Sequence, residues 1–192
     1  MIKLSDSLIS NNPNVATNDL WTAFDQLKDA LNNKDLIAYN NLVYGYATVT
    51  STDEFSTYAP LFYGELAKLN KTDFVNVWRD DKQAILSTNP IRTDTADNYS
   101  YDKKQIFFIK DISLWKVMNL DISAGSIPKS WGAEGEKELQ SMPIDSDKDG
   151  VADRVETCSG AEQYNSRCVK TDPNNRDTNG NGWWDGIEED MK

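Results

Sequence analysis

The 192-residue chain contains no histidine and only two cysteines. Without histidine there is no Ser-His-Asp or Cys-His triad, no histidine general base and no histidine-ligated zinc. Two cysteines are too few for a four-thiolate zinc site or an ordinary iron–sulfur cluster. Long apolar runs are also missing. The most compact, Ile106 to Ile109, falls far short of the ~20 residues a membrane-spanning helix needs. Basic residues are scarce beside acidic ones, 20 against 31, and the net charge is -11. A field of that sign repels nucleic acid and anionic membranes and attracts cations. No catalytic residue and no organic cofactor site is nominated by spacing. Asp80 and Asp81 are adjacent carboxylates, but they fall in the polar turn Arg79 to Lys82. The expectation is a non-catalytic protein.

Residues 1–14 are polar and lack the apolar core of a signal peptide. The cysteines nonetheless point outside the cell. Cys158 and Cys168 enclose nine residues in a segment poor in apolar groups, where a disulfide supplies order that burial cannot. Two free thiols are the alternative. The expected setting is extracellular or cell-surface, with any leader or anchor outside this chain. The expected partner is an extracellular or cell-surface protein.

Apolar periodicity is concentrated in residues 15–124. Asn18 is the expected N-cap of a helix bearing Leu20, Trp21, Phe24, Leu27 and Leu31 on one face. Asp35 can start a second, carrying Leu36, Tyr39 and Leu42. Ser51 and Glu54 offer a capping box for a third, which Pro60 is expected to kink or restart. The period then drops to two over Phe74–Trp78 and Gln83–Thr88. A further strand is expected around Tyr99 and Tyr101, and a hairpin joins Ile106–Lys110 to Leu114–Leu120. Helices followed by strands favour an α+β fold with an antiparallel sheet. Residues 125–144, with Gly125, Pro128, Gly132 and Gly135, read as a linker. This element order, the Asn33-Lys34-Asp35-Leu36 link and the Leu114-Trp115-Lys116-Val117 strand resemble the nuclear transport factor 2-like fold. That resemblance implies a curved, cone-like sheet wrapped on the helices, and some members of that fold are enzymes or ligand binders. Tyr44, Tyr46, Tyr99 and Tyr101 would then line a cavity or fill the core.

Residues 145–192 carry 12 acidic and 6 basic side chains and no helical or strand periodicity. Within them, Asp145, Asp147, Asp149, Asp153 and Glu156 occupy positions 1, 3, 5, 9 and 12 of one loop, with Gly150 at 6. Oxygens at that spacing suit calcium, which takes six to eight at ~2.3–2.6 Å. The Val151 carbonyl is the seventh-position donor. The pattern recurs 32 residues later, with Asp177, Asn179, Asn181, Asp185 and Glu188, Gly182 as turn residue and the Trp183 carbonyl at position 7. Two such loops imply Ca2+, two or more ions, in a small loop-rich module held by a disulfide. Magnesium is the weaker rival, because it demands rigid octahedral geometry and keeps its water.

Both loops, together with the intervening Thr171-Asp172-Pro173, resemble bacterial thrombospondin type 3 repeats, which are EF-hand-like. The resemblance implies calcium ligation by these residues and a cell-surface or secreted setting. The Cys158/Cys168 pair and the two asparagines depart from the usual repeat. A dockerin-like or adhesive module that docks a partner when loaded is the alternative. It would use Trp183 and Trp184 as a platform, whereas packing on the first domain would bury them.

Overall fold

A computed structural model describes residues 19–45, 48–159 and 168–191. Asn18 and Tyr46 lie outside them, as do the side chains of Tyr58 and of residues 60–63, 121–125 and 190. The fold is α+β. Three helices come first: α1 (Leu20–Asn33), α2 (Leu36–Leu42) and α3 (Thr52–Tyr63). The cap of α1 is Asp19, whose carboxylate accepts the Thr22 N–H at 2.8 Å. Asp35 caps α2 as expected, accepting the Ala38 N–H at 3.0 Å. Of the expected kink or restart at Pro60, the restart does not occur, since α3 is continuous through that position.

The sheet has five antiparallel strands: β1 (Phe74–Arg79), β2 (Gln83–Thr88), β3 (Ile91–Arg92), β4 (Asn98–Asp111) and β5 (Leu114–Pro128). Long β4 forms its spine. One edge of β4 pairs with β2 and then β3, the other pairs with β5 along nearly its whole length, and β1 lies outside β2. A bulge skips Met118 in the register, so Val117 and Leu120 both reach the helix side while Met118 turns to the other face.

The helices cover one face of the sheet. Leu20, Phe24, Leu27, Tyr39 and Phe55 pack there against Ala84, Leu86, Ile106, Phe108, Trp115 and Val117. The opposite face is also covered. Ile85, Phe107, Ile109 and Met118 meet Trp184 and Ile187 from the acidic C-terminal segment. Each large apolar side chain buried there contributes ~1.5–3 kcal/mol. Burial on both sides explains why β2 is buried at all six positions, beyond the half-buried alternation of a one-sided sheet.

Residues 125–144 are not an irregular linker. They hold the end of β5, a 3-10 turn (Lys129–Trp131) and helix α4 (Gly132–Ser141). From this region Leu139 and Met142 pack on Ile127, with Tyr99 and Tyr101 beside them, so these tyrosines belong to a second small core. Two short helices end the chain: α5 (Asp153–Glu156) and α6 (Asp185–Met191). Among the described residues no helix is long and apolar enough to cross a membrane.

Candidate metal centre

The two acidic loops fold alike, and the likeness is local in origin. In each, the position-9 N–H closes the loop onto the carbonyl preceding position 1, Asp153 on Ile144 at 2.9 Å and Asp185 on Arg176 at 2.8 Å. The position-9 carboxylate accepts the position-2 N–H, from Ser146 at 2.7 Å and from Thr178 at 3.2 Å. The glycine N–H at position 6 donates to the position-1 carboxylate, Gly150 to Asp145 at 3.2 Å and Gly182 to Asp177 at 2.7 Å. The position-7 N–H donates to the position-5 side chain, Val151 to Asp149 at 2.7 Å and Trp183 to Asn181 at 2.8 Å. Positions 4 and 6 have positive φ in both loops, Lys148 and Gly150 in the first, Gly180 and Gly182 in the second. These contacts turn the acidic side chains inward.

In the first loop they converge on two overlapping carboxylate triads. Oxygens of Asp145, Asp147 and Asp149 lie within 4.8 Å of one another, and so do oxygens of Asp149, Glu156 and Asp185. Asp149 belongs to both, and Asp185 arrives from the second loop. Asp149, Glu156 and Asp185 are 0%, 1% and 2% exposed. Asp147 Oδ2, Asp149 Oδ2 and Glu156 Oε2 are buried without a hydrogen-bond partner. A donor set of hard, buried, unpartnered oxygens is one that a divalent cation satisfies.

The electrostatics agree with that geometry. Burial is the main cause in each case, with repulsion among the carboxylates adding to it for Asp147, Asp149 and Glu156. Asp149 is pushed up to about 8, Glu156 to about 7 and Asp147 to about 6. Asp145 is also raised by burial, while the nearby Lys103 ammonium pulls the other way. Such shifts mark a site that resists holding its full negative charge unaided.

The remaining residues named from sequence sit differently. The Asp153 carboxylate is engaged by the Ser146 N–H and hydroxyl, both at 2.7 Å, and belongs to neither triad. Val151 is buried. In the second loop Glu188 accepts the side-chain amides of Asn179, at 2.6 Å, and Asn181. The two asparagines therefore already satisfy the closing carboxylate of that loop. Trp183 is half-buried beneath the Lys82 ammonium, 5.1 Å from the ring centroid. Trp184 is buried, with the Arg176 guanidinium 4.8 Å from its ring centroid. Arg176 also donates to the Asp147 carbonyl at 2.6 Å, tying the loops together.

Several supporting residues were not among the site residues expected from sequence. Gln83 on β2 bonds the backbone of the second loop. Thr171 donates to Glu156 Oε1 at 2.9 Å. Gly186 lies so close to loop one that a Cβ there would overlap the Asp149 carbonyl. The Asp-Gly step at the start of α6 was the one available hint. Cys158 and Cys168 are paired, as their spacing suggested. Asp80 accepts the Lys82 and Gln83 N–H groups and pins the β1–β2 turn. No protein-family model, curated protein or solved structure matches the chain.

Proposed function

We propose that this is a non-catalytic, secreted or cell-surface calcium-binding protein whose two acidic loops take structural Ca2+. One observation carries the reading: three buried carboxylate oxygens, on Asp147, Asp149 and Glu156, have no partner. An unpaired buried charge costs several kcal/mol, and a cation offsets that cost. The likeness of both loops to thrombospondin type 3 repeats supports the same conclusion, as does the net charge of -11. Calcium is preferred over magnesium because the donors are many and set on flexible loops. The two loops are not equivalent. Loop one has unsatisfied carboxylates and needs the ion to be stable, whereas in loop two the asparagine amides stand in for it on Glu188. In this reading one ion is taken by the Asp149–Glu156–Asp185 triad, to which both loops contribute a carboxylate.

The role is structural because the loops are the layer that covers the second face of the sheet. Ion binding to the folded form alone stabilises it by ~2.7 kcal/mol per site at about 100 times the dissociation constant. Calcium-dependent docking of a partner is the less favoured reading, because it needs Trp183 and Trp184 available and Trp184 is packed on the sheet. A cone-like curvature of the sheet, with a ligand pocket inside it, is a further expectation of the resemblance to the nuclear transport factor 2-like fold. Isothermal titration with calcium and with magnesium tests the proposal. Calcium heat at two or more sites, with a rise in melting temperature over chelated protein, is expected. Absence of calcium heat at millimolar ion would overturn it.

A further inference from the structure

Glu156 is the closing carboxylate of the first loop, and its two oxygens have different fates. Oε1 accepts the Thr171 hydroxyl at 2.9 Å. Oε2 is buried without a partner, and the carboxylate contributes an oxygen to the triad with Asp149 and Asp185. Thr171 thus fixes the carboxylate through one oxygen and leaves the other for an ion. Thr171 is 15 residues from Glu156 in sequence, so something must hold the two segments together. Cys158 lies two residues after Glu156, and Cys168 lies three before Thr171. Their disulfide brings the Cα atoms to 5.1 Å. Beside it, the Val169 N–H donates to the Val155 carbonyl at 3.1 Å. The chain reverses at Cys158, where φ is +54° and the following Ser159 N–H returns to the Arg154 carbonyl.

We propose that Thr171 is a positioning residue for the Glu156 carboxylate, and that the Cys158–Cys168 disulfide, by holding Thr171 in place, makes the first loop's affinity for its divalent cation sensitive to thiol reductants. The proposal rests on the calcium reading given above. A dithiol reductant supplies two electrons and two protons. The sulfur–sulfur bond breaks, each cysteine gains a hydrogen, and the reductant closes to its own disulfide. The 168–171 segment then loses its covalent tether, and Glu156 loses the donor that orients it. Removal of an outer partner of this kind typically costs 10–100-fold in metal affinity. The device also fits the compartment, since an oxidising exterior would keep the site at full affinity.

The test is calcium titration of the full chain in five forms: oxidised, dithiothreitol-reduced and alkylated, Cys158→Ser/Cys168→Ser, Thr171→Val and Thr171→Ser, the last two oxidised. Far-ultraviolet circular dichroism monitors the fold of each. Oxidised protein and Thr171→Ser should bind alike. The reduced form, the double serine variant and Thr171→Val should bind ~10-fold or more weakly. Equal affinity before and after reduction would overturn the redox coupling. Failure of Thr171→Ser to restore what Thr171→Val loses would overturn the positioning role, and because these two variants keep the disulfide, that result stands even if the reduced chain unfolds. No calcium uptake by the oxidised wild type would instead sink the underlying metal reading, and this inference with it.

Discussion

Gln83 and Trp184, a strand residue and a loop residue 101 positions apart, share a hydrogen bond buried between the sheet and the acidic segment. Gln83 Oε1 accepts the Trp184 N–H at 3.0 Å, and its Nε2 donates to the Gly182 carbonyl at 3.3 Å. The amide therefore grips the backbone on both sides of Trp183, the residue at position 7 of the second loop. Gln83 is 1% exposed, so water cannot replace it. Gln83→Ala leaves a buried N–H unpaired and should cost about 1–3 kcal/mol of folding stability. Denaturant titration followed by tryptophan fluorescence checks this, and a loss below about 0.5 kcal/mol would show that the clamp is dispensable.

Two aspartates of the first loop separate ligation from scaffolding. Asp149 belongs to both carboxylate triads, whereas Asp153 is spent on the Ser146 N–H and hydroxyl. Asp149→Ala should weaken calcium binding by more than about 100-fold, the equivalent of roughly 3 kcal/mol for loss of a buried charged partner. Asp153→Ala should lower stability by about 1–2 kcal/mol through the two lost hydrogen bonds while leaving the number of bound ions unchanged. Calorimetric titration of both variants decides it. Equal loss of binding in the two would mean that Asp153 ligates after all.

The raised carboxylates set the sign of the pH response. In metal-free protein Asp147, Asp149 and Glu156 hold protons up to about 6, 8 and 7, while the unfolded chain releases them near the ordinary carboxylate value. Between those limits the folded state binds more protons, so stability falls with rising pH. The penalty is absent in acid, grows from about pH 4 to about pH 8 and is constant beyond. Calcium bound at the proposed site would compete with those protons and remove the penalty. Melting temperatures in chelator and in calcium should therefore diverge as pH rises from 5 to 8. Parallel curves would contradict the assignment of these three groups to a cation site.

How much of this was visible beforehand depends on the range of the interactions. The folding of the two acidic loops was legible because each is built from contacts between residues at most nine apart, such as Gly150 to Asp145 and Asp153 to Ile144. The strands β1, β2 and the β4–β5 hairpin were legible from period-two apolar residues. The cap of α1 was misplaced by one residue, since Asn18 and Asp19 are both good caps and only geometry chooses between them. Helix α4 was missed because Gly132 and Gly135 are poor helix formers and Leu139 is its one large buried side chain. Gly135 is nonetheless suited to its place, where a Cβ would lie 2.9 Å from the Trp131 Cβ. The hydrogen bonds of Gln83 to the second loop and the approach of Asp185 to the first-loop carboxylates could not be read. Both depend on how the acidic segment docks on the sheet, a long-range fact that spacing does not encode.

Gly186 is the position where local preference and tertiary fit conflict most clearly. It lies in the first turn of α6, directly after Asp185. Replacing it by alanine would favour the helix by about 1 kcal/mol. A Cβ there, however, would overlap the Asp149 carbonyl and lie 3.3 Å from the Gly150 Cα. Both obstacles are backbone, so no side chain can swing aside. Overpacking of this kind costs about 1–3 kcal/mol, and relief requires α6 to move away from the first loop. That movement carries Asp185 out of its triad with Asp149 and Glu156. Gly186→Ala should therefore keep its circular dichroism spectrum, lose the ion shared between the loops and bind the remaining calcium through the residues of each loop alone. Calcium stoichiometry and affinity identical to the wild type would show that the loops act independently and that Asp185 is no bridge between them.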